Sequence, residues 1–362
     1  MKILALGSTG AIGSQLVSIL AKDPSHEIYI TSRSPRQDQG VVRYFQGNAL
    51  NQTFLNNILQ QHWDVIVDFM VYDTPTFESR IAALLSATEQ YIFISSARVF
   101  ANSDKPITEK SSQLLDVSDD EDFLASDEYA LTKARQEELL TSSSRNNWTI
   151  VRPYITFGKG RLQLGTLEKE SWLYRAIQGR SIVFCQDLMD KRTTLTDGAI
   201  VADMIANLIG QPKAIGEDFN LTGPDTTHWG AVVDLYCNGL EHYLGQRPKL
   251  VLQDLKTFCD GAPSIAQVKY DRIFHREFDP SKIGQFVELH GLEPALGSLR
   301  YWLDDQLQNG TFLPLSPTHE ALRDRASNER GPLGDYATFK QRIKYLAYRH
   351  VPLNTLRCMR KV

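Results

Sequence analysis

The first 155 residues alternate short apolar runs with stretches whose apolar residues recur at helical spacing. Residues 3–6 form the first apolar run, and 11–22 follow as a helix. The runs 27–31 and 41–45, rich in β-branched and aromatic residues, predict the second and third strands. Residues 51–61 place Phe54, Leu55, Ile58 and Leu59 on one helical face. Residues 64–69 are apolar at nearly every inner position, the mark of a strand buried on both faces. A helix over 78–88, a strand over 91–95, a helix over 128–142 and a strand over 148–153 complete the series. Ser126 or Asp127 is the expected cap of the 128–142 helix, with acids in its first turn. Strands alternating with helices predict an α/β fold with a doubly wound parallel sheet. The ligand crevice of such a sheet lies at the carboxyl ends of its strands.

Beyond residue 155 the pattern loosens. Residues 159–179 read as loop and helix, 219–221 as a late strand, and 223–312 as helices mixed with short strands. The expected organisation is a parallel-sheet domain over 1–158 with a returning segment over 181–222. A smaller α/β domain over 159–180 and 223–312 follows, then a basic extension over 313–362. Residues 319–362 carry ten Lys/Arg against four acids. That tail reads either as a docking arm, with Phe339, Ile343 and Leu346 as its apolar face, or as a nucleic-acid contact. The net charge of −4 and the absence of an RNA-binding motif favour the first. No run of apolar residues is long enough to cross a membrane. Cys185, Cys237, Cys259 and Cys358 are far apart in sequence, without metal-ligand spacing or a disulfide pattern, so a reducing, cytoplasmic setting and no metal are expected.

Three glycines, Gly7, Gly10 and Gly13, break the first apolar run and open the first helix. They interrupt the run too early for a secretory signal. A strand that turns tightly into a helix presents backbone N–H groups and the positive end of the helix dipole to an anion. Gly7 suits the tight turn, Gly10 a close approach of backbone to a pyrophosphate, and Gly13 close packing of helix on sheet.

A second constellation follows the fifth strand. Ser96 ends it, and Tyr129 and Lys133 stand four apart on a predicted helix, hence on one face. An ammonium beside a phenol favours the phenolate, and such a tyrosine can give or take a proton at a carbinol or carbonyl carbon. Tyr336 and Lys340 repeat the spacing in the tail, but no parallel strand or serine precedes them.

The order GSTGAIG, SSARVF, YALTK, VRPYITFGKG resembles the extended short-chain dehydrogenase/reductase superfamily, in its NAD-dependent epimerase/dehydratase branch. The resemblance is good over residues 1–160 and thinner in FNLTGP and FDPSKI. It implies a Rossmann domain and a Ser/Tyr/Lys site: Ser96 orienting the substrate, Tyr129 the acid/base, Lys133 the ribose-binding residue that tunes it. It also implies cofactor contacts at Gly7, Thr9, Gly10, Ala11, Ile12, Gly13, Asn48, Ala49, Phe69, Met70, Tyr129, Lys133 and Pro153. Substrate contacts would fall at Arg98, Ile155 and Arg192, and dimerisation at the helices over 76–88 and 128–142. The second strand ends in Ser32, Arg33 and Arg36 with no acid for a ribose 2′-hydroxyl, which favours NADP(H) over NAD(H).

The chain departs from the pattern in places. Ala97 and Arg98 replace the Asp-Glu pair of the 4,6-dehydratases, so water elimination is not expected. Ile155 stands where many nucleotide-sugar enzymes carry Asn, and Ala199 where an Asp is expected after Arg192, leaving Asp197 as a helix cap. The acidic stretch 119–128 reads as a solvated loop. The expectation is an NAD(P)-dependent oxidoreductase acting on a secondary alcohol or ketone of a small molecule. Two alternatives stand beside it: a nucleotide-sugar epimerase with retained NAD, and a non-catalytic NADP-binding regulator or scaffold.

Overall fold

The computed structural model describes residues 1–352 and 355–356; Arg357, Cys358, Arg360 and Lys361 lie outside the described residues. The chain divides into two compact units. The first holds Met1–Gly158, Thr194–Asp225 and Glu277–Ala295, and the second holds Lys159–Thr193, Thr226–Arg276 and Leu296–Val362.

The first unit is built on a seven-stranded parallel sheet. Strands β1 (Lys2–Leu6), β2 (Glu27–Ser32), β3 (Val42–Gln46), β4 (Trp63–Asp68), β5 (Thr88–Ile94) and β6 (Trp148–Pro153) are joined by a late strand, Glu217–Leu221. Their order is Glu217–Leu221, β6, β5, β4, β1, β2, β3, so the chain reverses direction across the sheet between β1 and β4. The alternation of side chains along β1 divides the core. Ile3 joins Leu16 and Leu20 of α1 (Ala11–Leu20) and Val201 and Ile205 of the Gly198–Leu208 helix on one face. Leu4 and Leu6 join Leu55 of α2 (Gln52–Ile58) and Phe77, Ile81 and Leu84 of α3 (Thr74–Ser86) on the other. Burial on both faces is why β4 carries the unbroken apolar run 65–67 and β5 the run 91–94.

The second unit is assembled from short pieces. Ile182–Cys185 pairs in parallel with Leu250–Gln253, and the helices Lys169–Ile177 and Trp229–Leu244 meet through Trp172 stacked on Tyr236. The helices Pro317–Ala326 and Phe339–His350 of the tail pack on each other in this unit. The expected apolar face of the tail is corrected: Phe339 and Ile343 are exposed, while Tyr345 is buried with Leu315, Ala321 and Tyr336, and Leu346 packs against them. Three of the tail's basic groups hold backbone carbonyls. Arg325 donates to Tyr348 and Val351, Arg342 to Tyr336, and Arg349 to Glu329. No described helix is long and apolar enough to cross a membrane.

Candidate active site

The turn from β1 to α1 shows what each glycine is for. Gly7 sits at φ +69°, in the left-handed region, and a Cβ there would lie 2.6 Å from the Met70 sulfur. A Cβ on Gly13 would lie 2.5 Å from the Ser8 backbone, so only glycine lets α1 approach this closely. A Cβ on Gly10 would meet nothing within 4 Å. Gly10 is the N-cap of α1 and supplies no side-chain cap, which leaves first-turn N–H groups of α1, beginning with those of Ala11 and Ile12, available to an anion.

A cavity of about 320 Å³ opens beside this turn, bounded by Ser8, Thr9, Ser14, Arg36, Gln39 and Tyr44. Arg36 lies 6.0 Å from the centre of the Tyr44 ring, and no acid lines the cavity. Arg33 is exposed, and Ser32 is buried with its hydroxyl donating to the Ser34 carbonyl. Asp38, the acid of this loop, is engaged: it accepts from the Tyr44 N–H at 3.0 Å and lies 3.7 Å from Arg43. After β3, the Asn48 side chain accepts from the Leu50 N–H, and Arg80 donates to the Ala49 and Leu50 carbonyls. These bonds fix the 47–51 turn. Phe69 and Met70 follow β4, and the Met70 N–H donates to Asp68.

Lys133 is 2% exposed. Its ammonium donates to the Ile94 carbonyl at 2.8 Å and lies 4.4 Å from the centre of the Phe93 ring. Burial pushes its pKa down to about 8, against the pull of Asp68 and Glu137. Asp68 is buried at the end of β4, where it accepts from Tyr72 at 3.0 Å and Tyr91 at 2.8 Å. Burial raises its carboxyl above the ordinary range, although these donors and Lys133 pull it back.

Ser96 caps the 3₁₀ turn Ala97–Val99, its hydroxyl accepting from the Arg98 N–H at 3.3 Å. Tyr129 opens the helix Tyr129–Thr141 and keeps 37% of its surface exposed. Here the cap is corrected: it is neither Ser126 nor Asp127 but Glu128, whose carboxylate accepts from the Ala130 N–H at 2.6 Å, and no acid stands in the first turn. In 119–128 the acids Asp119, Glu121, Asp122 and Asp127 are exposed, as expected of a solvated stretch, but the stretch is not all loop. Asp120 caps a short helix, Glu121–Leu124, that buries Phe123, and Arg135 grips the Leu124 and Ser126 carbonyls.

Behind the Ser96 turn lies a charge network that the local pattern did not reveal. Glu137 accepts from Ser95, from Gln113 at 3.0 Å and from Arg152 at 2.6 Å, and Arg152 also reaches Asp218 at 2.6 Å. Burial opposes the Arg152 charge, but Glu137 and Asp218 outweigh it and raise its pKa. The available signal was the arginine itself, a charge inside an otherwise apolar strand, which requires a buried partner.

The remaining expected residues are more scattered. Pro153 ends β6 opposite Leu221, and Ile155 is buried opposite Leu195. Asp197 caps the Gly198–Leu208 helix through the Ala199 N–H. Arg192 belongs to the second unit, exposed on a strand paired with Thr227–His228.

Comparison with known proteins bears on the fold. No curated protein matches the chain. The UDP-glucuronic acid 4-epimerase of Bacillus cereus, solved with NAD, has a TM-score of 0.63 at 16% identity, over 86% of this chain and 99% of that one. The dTDP-glucose 4,6-dehydratase of Bacillus anthracis, also with NAD, has a TM-score of 0.62 at 16% identity, over 85% and 97%. A short-chain dehydrogenase/reductase superfamily protein of Agrobacterium tumefaciens with bound NAD has a TM-score of 0.60 at 16% identity, over 85% and 98%. Residues 7–171 match the NAD(P)H-binding family model, and the fold is the one these epimerase, dehydratase and dehydrogenase structures share.

Proposed function

We propose that the chain is an NAD(P)-dependent oxidoreductase that moves a hydride at a secondary alcohol or ketone carbon, with Tyr129 as the acid/base. The observation that carries this is Lys133, a desolvated ammonium one helical turn from the half-exposed Tyr129. Burying an ammonium is costly, and a purely structural helix has no need of one at this place. Lys133 holds the cofactor ribose and favours the phenolate. Ser96 orients the substrate oxygen. In alcohol oxidation Tyr129 takes the hydroxyl proton, and in ketone reduction it returns one. The nicotinamide, when bound, supplies or accepts the hydride at its C4 carbon.

The cradle fits a dinucleotide. The open space at Gly10 and the uncapped first turn of α1 suit the pyrophosphate. Asn48 and Ala49 lie on the adenine side, and Phe69, Met70 and Pro153 at the strand ends toward the nicotinamide. We take NADP(H) as the cofactor, because Arg36 shares an acid-free cavity with Ser8 and Thr9. A guanidinium suits a 2′-phosphate. Cofactor binding falls to the first unit and substrate recognition to the second, in a cytoplasmic homodimer. The NAD complexes of the structural neighbours favour one second reading, a nucleotide-sugar epimerase that retains NAD.

Titration of NADPH, NADP⁺, NADH and NAD⁺ against the protein and Arg36→Ala tests the cofactor. We expect a preference for the 2′-phosphate that falls by about 10- to 100-fold in Arg36→Ala, the worth of one or two charge-assisted bonds. Tightly retained NAD⁺, indifferent to Arg36, overturns that reading and favours the epimerase. Tyr129→Phe should bind cofactor normally and lose about 10²–10⁴ in turnover once a substrate is found.

A further inference from the structure

Arg98 and Glu128 are thirty residues apart in sequence and in direct contact, guanidinium to carboxylate at 2.5 Å. Their side chains are only 15% and 13% exposed, so the pair is largely withdrawn from solvent. The Arg98 guanidinium carbon also lies 5.3 Å from the centre of the Tyr129 ring. Glu128 divides its carboxylate: one oxygen takes Arg98, and the other takes the Ala130 N–H and caps the helix that Tyr129 opens. At the other end, the Arg98 N–H donates to the Ser96 hydroxyl oxygen. Ser96, Arg98, Glu128 and Tyr129 therefore form one connected cluster, and Arg98 touches each of the other three.

We propose that Arg98, clamped by Glu128, is a positioning residue for Tyr129 that fixes the ring and favours its phenolate as a second cation beside Lys133. The inference rests on the reading of Tyr129 as the acid/base. The two cations have different ranges. The Lys133 ammonium is easily discharged in its buried site, whereas a guanidinium keeps its charge at every pH a protein survives. Arg98 thus supports the phenolate under conditions where Lys133 no longer does. Its guanidinium lies over the ring while one terminal nitrogen takes a single carboxylate oxygen of Glu128.

Besides Arg98, which lies 5.3 Å from the ring centre, the charged side chains nearest Tyr129 along the chain are the exposed Asp127, Glu128 just before it and Lys133 one helical turn on. Arg98 and Glu128 carry opposite charges, so they have opposite effects on the phenolate. This separates the proposal from a merely structural pairing. Loss of a structural pair would loosen the ring in the same way from either side.

The test is an ultraviolet difference titration of tyrosinate on the full chain, with Tyr129→Phe subtracted to isolate the Tyr129 signal. Arg98→Met should raise the Tyr129 midpoint by about one pH unit, the low end for an opposite charge because the ring keeps 37% of its surface exposed to solvent. Glu128→Gln should lower it by a similar amount while keeping an acceptor for the Ala130 N–H. Arg98→Lys should fall between wild type and Arg98→Met, and with Glu128→Gln it carries the test if Arg98→Met does not fold. Midpoints that stay put, or that move in the same direction in Arg98→Met and Glu128→Gln, overturn the proposal. The titration needs neither substrate nor turnover. If Tyr129→Phe keeps full activity, the acid/base reading fails whatever the titration shows. If Tyr129→Phe is inactive but the midpoints do not move, only the role of Arg98 fails.

Discussion

Lys133 gives the sharpest physical test, because its burial links the candidate chemistry to stability. Its pKa falls from 10.5 to about 8 on folding, a change worth about 3 kcal/mol. The sign follows from which state holds the proton. Below pH 8 both folded and unfolded chains are protonated, and the folded chain bears the whole cost of a buried charge. Between pH 8 and 10.5 the unfolded chain binds more protons, so stability rises with pH. Above 10.5 both states are neutral and the cost has vanished. Lys133→Met removes that cost at neutral pH but orphans the Ile94 carbonyl, a loss of about 1–3 kcal/mol, and a cation–π contact of about 0.5–2 kcal/mol. At pH 7 these terms nearly cancel, and the variant should be about as stable as wild type. The pH trend does not cancel. Relative to wild type, the variant should lose about 3 kcal/mol between pH 8 and 10.5. Urea unfolding of both proteins across that interval, followed by a probe in the first unit, measures the difference, and other titrating groups drop out of it. A stability difference that is flat across the interval would show that folding does not depress the Lys133 pKa, and the argument from its desolvation would collapse.

Two further tests follow from the structure. Gly10→Ala and Gly13→Ala should part company: the first, in open space, should leave thermal stability within about 1 kcal/mol of wild type yet weaken dinucleotide binding. The second drives a methyl into the Ser8 backbone and should lower the unfolding midpoint as well, which calorimetry with and without NADP⁺ will separate. In the second unit, Asp324 is buried against Arg175 at 2.7 Å and the Tyr345 hydroxyl at 2.6 Å. Asp324→Asn should cost about 3–5 kcal/mol in denaturant unfolding of that unit, the penalty for breaking a buried ion pair from one side. Burial raises the Asp324 carboxyl, but Arg175 and its other donors outweigh this and hold it below the ordinary value of 3.8. Its contribution is therefore present above that pH and lost as pH falls below it.

The first unit was legible because its elements announce themselves locally. Strands buried on both faces are continuous apolar runs, so β1, β4, β5 and β6 lie within about three residues of where the pattern puts them. Gly7 and Gly13 were legible for the same reason: each answers a steric demand, Gly13 within a few residues of itself and Gly7 at the end of β4, whereas nothing crowds Gly10. The groups around the site that escaped notice act at long range. Glu128 looked like one acid in an acidic run, and only the fold brings Arg98 to it. Asp68 looked like the end of a strand, and only the packing of β4 beside β5 supplies Tyr91 as its donor. In the tail, helical spacing pointed to Phe339, Ile343 and Leu346, whereas Tyr345 of the same helix and Tyr336 before it are the residues buried there.

The tail also shows why counting charges along a sequence misleads. Ten basic residues against four acids left two readings, a docking arm or a nucleic-acid contact, with the first favoured. In the fold, the four acids are the busiest groups in it. Glu320, Asp324 and Glu329 all pair with Arg175, and Arg180 reaches Glu320, Asp324 and Asp335. Both arginines come from outside the tail, one from the Lys169–Ile177 helix and one from the residues just before the Ile182–Cys185 strand. The Arg175 guanidinium is fully buried. Without the tail's carboxylates it would be an uncompensated charge in a low-dielectric interior, which folded proteins do not tolerate. The second unit and its tail are thus interdependent: the unit supplies the buried cations and the tail the anions. Arg325, Arg342 and Arg349 of the tail, spent on backbone carbonyls, hold that arrangement together. The segment that looked most like an appendage is part of the core of the unit that carries it.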